Sequence, residues 1–136
     1  MTTYGGGCAC GAIRYEIAAE PLYAFQCQCR SCQQFTGTGH ASVMVFPEAA
    51  IRVTGEVREF ARPAESGAQT VMGFCGTCGS GLYGRRAANP DTIGVLVGSL
   101  DEPQHFKPQA ALFASRGHAW DRLDPALPKL PGMPQP

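Results

Sequence analysis

The stretch FCGTCGSG, Phe74 to Gly81, decides how this chain is read. Cys75 and Cys78 sit in a C-x-x-C-G setting that suits a zinc knuckle. Its turn aims both sulfurs at one point, and Gly76 and Gly79 let backbone amides approach the thiolates. A second pair, Cys8 and Cys10, stands in GGGCACGA near the start. In a strand, residues i and i+2 point the same way with Cα atoms ~6.6 Å apart. Sulfurs around tetrahedral zinc lie ~3.8 Å apart, from Zn–S bonds of ~2.3 Å. A bent strand or turn closes that gap, and a C-x-C pair is poorly placed for its own disulfide. Cys8, Cys10, Cys75 and Cys78 are therefore expected to form one closed structural zinc site, tying the N-terminal segment to the middle of the chain. Two blander readings stand beside it: incidental buried cysteines, and a thioredoxin-like redox pair at Cys75/Cys78. The second lacks the surrounding βαβ pattern.

The remaining three of the seven cysteines fall in QCQCRSCQQ, residues 26–34. A closed zinc site takes four protein ligands, whereas a catalytic one takes three and leaves a position for water or substrate. Cys27, Cys29 and Cys32 thus read as an open, labile zinc site. A soft thiolate site with an open position suits a thiol ligand. The competing reading is a weak site, empty in the purified protein, whose thiols react or oxidise.

Outward from these clusters, the chain reads as all-β. AIRYEIA alternates, placing Ile13, Tyr15 and Ile17 on one face. LYAFQC is a short apolar run into the three-cysteine cluster, and ASVMVF is β-rich and stops at Pro47. IRVTGEVREF looks like a hairpin turning near Gly55-Glu56. TVMGFC enters the knuckle, SGLYG leaves it, TIGVLVGSL is a core strand, and ALFAS is a late one. The only helix expected is short, about Cys29 to Phe35. Trp120, the only tryptophan, is expected to pack and anchor the C-terminal segment. His40 is expected in a loop or half-buried near the cluster, and His105 and His118 carry no assigned chemistry. Residues 125–136 hold five prolines and are expected to lie extended over the surface.

A length of 136 residues fits one domain, with a compact core over about residues 5–124 and the tail at 125–136. Such a chain can bury a core without disulfides. Eleven basic and eleven acidic side chains cancel, and no charge run points to nucleic acid. No apolar run approaches the ~18 residues of a membrane span, and the opening MTTYGGGCAC lacks the n- and h-regions of a secretory signal. The expected location is the cytoplasm, where clustered thiols stay reduced.

The segments GGGCACGAIRYEI, CQCRSCQQFTGTGHASVMVF, RVTGEVREF, FCGTCGSGLYG and GSLDEPQHFKP occur in this order. Together they resemble the glutathione-dependent formaldehyde-activating enzyme family over nearly the whole chain. The resemblance implies a zinc-stapled β-tent of short antiparallel strands. It implies structural zinc at Cys8, Cys10, Cys75 and Cys78, with an active-site zinc centre at Cys27, Cys29 and Cys32. The implied activity is that of a carbon–sulfur lyase, joining or releasing glutathione and formaldehyde as S-hydroxymethylglutathione. The chain departs from the family pattern at Gln28 and in residues 109–113, where many members carry histidine. Glutathione has two carboxylates and needs cationic partners; Arg30 is the first candidate, then Arg85 and Arg86. Two other functions are compatible with these residues: a non-catalytic zinc domain that binds glutathione or a protein partner, and a thiol redox enzyme cycling its three-cysteine cluster through a disulfide.

Overall fold

The computed structural model describes residues 3–63 and 67–133. Among these residues, ten strands form two sheets. The smaller sheet contains β1 (Tyr4–Gly7), β2 (Arg14–Ile17) and β5 (Ile51–Thr54), in the order β1-β2-β5. The larger sheet contains β3 (Tyr23–Cys27), β4 (Ala41–Pro47), β6 (Val57–Pro63), β7 (Gln69–Cys75), β8 (Gly81–Arg86), β9 (Thr92–Leu96) and β10 (Ala110–Leu112). Its order is β10-β3-β4-β9-β8-β7-β6. One α-helix, α1 (Arg30–Thr36), follows β3 directly. No helix among the described residues is long and apolar enough to cross a membrane.

The alternation in β2 performs as expected. Ile13, Tyr15 and Ile17 are buried at 1%, 3% and 0% exposure, while Arg14 and Glu16 face solvent. These side chains pack with Ala24, Met44, Phe46, Ile93 and Val95 of the larger sheet, so the core lies between the two sheets. Strand period two then gives the other face of the larger sheet a different set, including Phe25, Val43, Val45 and Leu96. That face lines a cavity instead of the core.

Four departures from the sequence expectations have physical causes. First, β5 and β6 do not form a hairpin. β5 pairs with β2, and β6 pairs with β7. The chain changes sheets at Gly55, whose φ is +97° and where a Cβ would meet the Ala12 carbonyl oxygen at 2.3 Å. A turn signal at Gly55-Glu56 marks a sharp bend without saying which partner each arm takes. Second, every strand pair is antiparallel except the last, because β10 returns across the fold to lie parallel to β3. Third, Trp120 is 68% exposed and stacks on His118 at 5.0 Å between ring centroids. Fourth, the tail does not merely cross the surface. Lys129 bridges to Ala111, and Leu130 and Met133 pack against Cys27, Cys29 and Leu112. The last three residues of the tail lie outside those described.

Gly55→Ala should lower stability by about 2 kcal/mol or more, since it combines a left-handed backbone with a backbone clash. Urea denaturation of the two proteins measures this. A difference within about 0.5 kcal/mol would mean that the sheet switch tolerates a side chain.

Candidate functional site

The knuckle and the N-terminal pair meet. The Sγ atoms of Cys8, Cys10, Cys75 and Cys78 all lie within 4.8 Å of one another. Cys8 and Cys10 are separated by 3.6 Å, and Cys10 and Cys75 by 3.8 Å. These separations match the ~3.8 Å between sulfurs on a tetrahedral zinc, and the all-sulfur donor set fits that ion, so the group could hold it. Backbone amides already point at the sulfurs. Ile13 N donates to Cys8 Sγ at 3.3 Å, and Thr77 N and Cys78 N donate to Cys75 Sγ at 3.4 and 3.5 Å. Gly79, at φ +78°, lets the turn close. The Ser80 hydroxyl and backbone hold the Cys78 thiol down at about 5. Ser80 Oγ also accepts from Ala9 N, fastening the N-terminal loop to the knuckle.

The second cluster forms where β3 ends and α1 begins. Cys27 is the last residue of β3. Gln28 N donates to Leu112 O of β10 at 2.9 Å. Cys29 is the N-cap of α1, and its Sγ accepts from Cys32 N at 3.3 Å. A cap and a first-turn residue thus bring two sulfurs together, and the strand end supplies the third. All three lie within 4.8 Å of one another. Cys27 and then Cys32 hydrogen-bond to Cys29 and hold its thiol down at about 3. The same sharing pushes Cys27 up to about 12 and raises Cys32. Hydrogen bonding within the trio thus favours the thiolate of Cys29 over those of its two neighbours. The donor set fits a soft metal ion with one position left over.

A polar chain whose residues do not line the cavity adjoins the trio. Gln28 and Gln33 are each 5% exposed. Gln33 Nε2 donates to Gln28 O at 2.8 Å and to Arg116 O at 3.2 Å. His118 Nε2 meets Gln33 Oε1 at 3.0 Å. Gln28 Nε2 donates to Asp121 Oδ2 at 3.4 Å, and Asp121 pairs with His40 Nδ1 at 2.9 Å. His40 is half-buried, with Nε2 3.3 Å from Gln26 Nε2. Gln28 therefore clamps the Cys27–Cys29 turn to the C-terminal segment. In residues 109–113, Gln109 Oε1 accepts from Ala24 N, and the three residues that follow form β10. His105 lies elsewhere, beside Glu102.

The trio opens into a cavity of about 370 Å³. Its walls are Tyr23, Phe25, Val43, Val45, Met72 and Leu96, and its polar groups include Thr70, Arg86, Asn89 and Thr92. Phe35 of α1 closes one side, near Gly81. The candidate arginines fall in different places. Arg86 lines the cavity. Arg30 Nη1 donates to Gln33 Oε1 instead. Arg85 is on the opposite face, paired with Glu48 and Glu59 at 3.1 and 3.4 Å and lying over the Tyr83 ring.

A family model described as glutathione-dependent formaldehyde-activating enzyme matches residues 3–116. The chain is also similar to a Rhodobacter sphaeroides protein whose crystal structure came from a structural-genomics programme. The two are 27% identical with a TM-score of 0.57, over 71% of this chain and 87% of that one.

Proposed function

The chain belongs to the glutathione-dependent formaldehyde-activating enzyme family, and on that premise we propose that it joins a thiol to a small aldehyde at the Cys27, Cys29 and Cys32 cluster. The reaction proposed is the reversible carbon–sulfur bond formation that gives S-hydroxymethylglutathione from glutathione and formaldehyde. One observation carries the reading. Three sulfurs converge within 4.8 Å at the edge of a largely apolar cavity, while the other four cysteines converge at a separate place. The first arrangement leaves room for an outside ligand, and the second does not need one.

In this reading Cys8, Cys10, Cys75 and Cys78 hold a structural zinc, and Cys27, Cys29 and Cys32 hold a labile one. Bound at the trio, zinc supplies a soft Lewis acid that keeps an incoming thiol deprotonated at neutral pH. The protein's own residues do the rest. The trio contributes three negative charges against the two positive charges of such an ion, which favours thiol exchange over water activation. Phe25, Leu112 and Phe113 exclude water from one side of the cluster. Cys29 is fixed by its capping contact, and Gln28 and Gln33 hold the turn. The thiol sulfur forms the new bond to the carbonyl carbon, and the carbonyl oxygen ends as a hydroxyl carrying the thiol's proton.

The test is exchange spectroscopy on glutathione, formaldehyde and their adduct, with protein before and after mild chelation, alongside metal content per chain. Catalysed exchange is expected with two metals bound, and should vanish when the labile metal leaves while the fold persists. Absence of exchange in the doubly loaded protein would leave a non-catalytic binding domain. The Cys29 thiol, held down by hydrogen bonds from Cys27 and Cys32, favours one second reading, thiol redox chemistry. Undiminished turnover after chelation would select it.

A further inference from the structure

β10 is an edge strand of the larger sheet, and the tail covers its free edge. Ala111 N donates to Pro128 O at 2.9 Å, Leu130 N donates to Ala111 O at 2.8 Å, and Ala114 N donates to Leu130 O at 2.9 Å. Ala111 is fully buried, and the tail answers both of its backbone groups. The turn before this pairing is fastened as well. Ala126 N donates to Asp124 Oδ1 at 2.9 Å, and Lys129 Nζ donates to the carbonyl oxygens of Asp124 and Leu127, both at 2.8 Å. Pro125, Pro128 and Pro131 stiffen the segment further.

This path leads to the trio. Five side chains besides the cysteines both line the cavity and pack in the apolar cluster that holds Cys27 and Cys29: Tyr23, Phe25, Leu112, Phe113 and Met133. The first three stand on β3 and β10. Phe113 has a φ of +52°, a left-handed backbone that costs a bulky residue about 1–3 kcal/mol and persists only where its surroundings enforce it. The bond from Ala114 N to the tail carbonyl at Leu130 is such a restraint. The tail thus brings Met133 to the site and holds the turn that carries Phe113. Residues 117–133 lie beyond the span 3–116 that the family model matches, so the family description assigns Met133 no part in the site.

We propose that Met133 is a specificity-determining residue. With Phe113 it forms an apolar wall beside the trio that admits a thiol whose sulfur sits on an unbranched carbon, as in the cysteinyl group of glutathione, and excludes a thiol branched there. This rests on the reading of the trio as a thiol site. A ligand that completes the trio enters from the cavity, so its sulfur and the adjoining carbon must fit among the side chains that border both. Methionine is unbranched and fills irregular gaps, so it closes space that the strand residues leave. Apolar walls discriminate by size, one methylene being worth about 10–200-fold in rate. Ser31, Thr70, Asn89 and Thr92 also line the cavity and offer hydrogen bonds to a peptide body. The filter therefore falls on the carbon beside the sulfur rather than on the peptide.

The test compares exchange of glutathione with that of γ-glutamyl-penicillaminyl-glycine, which adds two methyl groups on the carbon that bears the sulfur, in the metal-loaded full chain. In Met133→Ala the ratio of kcat/KM values, glutathione over analogue, should fall by about 10-fold or more. Met133→Leu conserves volume and should keep the wild-type ratio. General loss of fold or metal lowers both rates together and leaves the ratio unmoved. An equal ratio in Met133→Ala and wild type overturns the wall and leaves the thiol site standing. A fall of the same size in Met133→Leu overturns bulk as its cause. If the doubly loaded wild type exchanges neither thiol, the thiol–aldehyde reading fails, and the wall is judged separately by alkylation after mild chelation. Iodoacetamide and the bulkier N-phenylmaleimide are compared, with peptide mass mapping at Cys27, Cys29 and Cys32. The rate ratio of small reagent to large should fall by about 10-fold in Met133→Ala, and an unchanged ratio rejects the wall.

Discussion

Cys75→Ser protein is expected to be largely unfolded at physiological temperature. Cys75 is 2% exposed and receives two backbone amides, so, on the reading of this cluster as a structural zinc site, a serine there removes a ligand at the centre of the knuckle. Structural zinc in small domains contributes about 10–16 kcal/mol of apparent binding free energy. A domain of ordinary size has a net stability of only about 5–15 kcal/mol. Losing most of the first quantity is comparable to the whole of the second. The cluster also joins segments far apart in the chain, since Cys10 and Cys75 are separated by 65 positions and their sulfurs by 3.8 Å. Breaking it frees the whole smaller sheet at its N-terminal end. Circular dichroism melts with metal analysis check this, and Cys8→Ser should behave the same way. A Cys75→Ser protein that melts near the wild-type temperature would show that the strands hold without the metal.

Serine at Cys27, Cys29 or Cys32 should do the opposite, sparing the fold and removing function. If the three sulfurs are ligands of one site, removing any one should cost the labile metal and about 10³-fold or more in exchange rate, to similar extents, as for groups that act as a unit. Cys29→Ser is the mildest for the fold, because a serine hydroxyl accepts from Cys32 N as the sulfur does and is a favoured N-cap. Cys27→Ser buries a hydroxyl beside Leu112 at a cost of about 1–3 kcal/mol, which a folded domain tolerates. Stopped exchange, metal content and melting temperature for the three variants give the answer. If one cysteine proves dispensable and the rest form a disulfide under mild peroxide, the cluster works as a nucleophile and its resolving partner.

Both cysteine groupings were legible from spacing, because metal chemistry constrains ligand number and the glycines of FCGTCGSG constrain the turn. The β2 strand was legible because Ile13, Tyr15 and Ile17 are buried by a period of two. Other features depended on long-range geometry. β1 was missed because YGGG has no apolar alternation; it is glycine-rich where Tyr15 OH crosses, and a Cβ on Gly6 would lie 2.4 Å from that oxygen. The switch at Gly55 carries the local signature of a hairpin and differs only in its partners. The cavity was hidden because its wall residues, such as Val43 and Leu96, look like core residues in sequence. Arg62 gave no signal, since its contact with Ser31 joins segments 31 positions apart in the chain. Trp120 was misread because aromatic size favours burial, while His118 offers it a stacking surface outside the core.

The parallel return of β10 to β3 has a consequence for how the protein is made. All seven cysteines have been added to the chain once Cys78 is synthesised. The strand that covers three of them is contributed by Ala110–Leu112, and the flanking Leu130 and Met133 come later still. Non-local pairings of this kind form late and slowly. During that interval Cys27, Cys29 and Cys32 stand at an open strand end, close together and unprotected. A nascent chain thus passes through a window in which oxidation competes with completion of the wall, and the redox state of the medium during synthesis or refolding decides how much of the product has an intact trio.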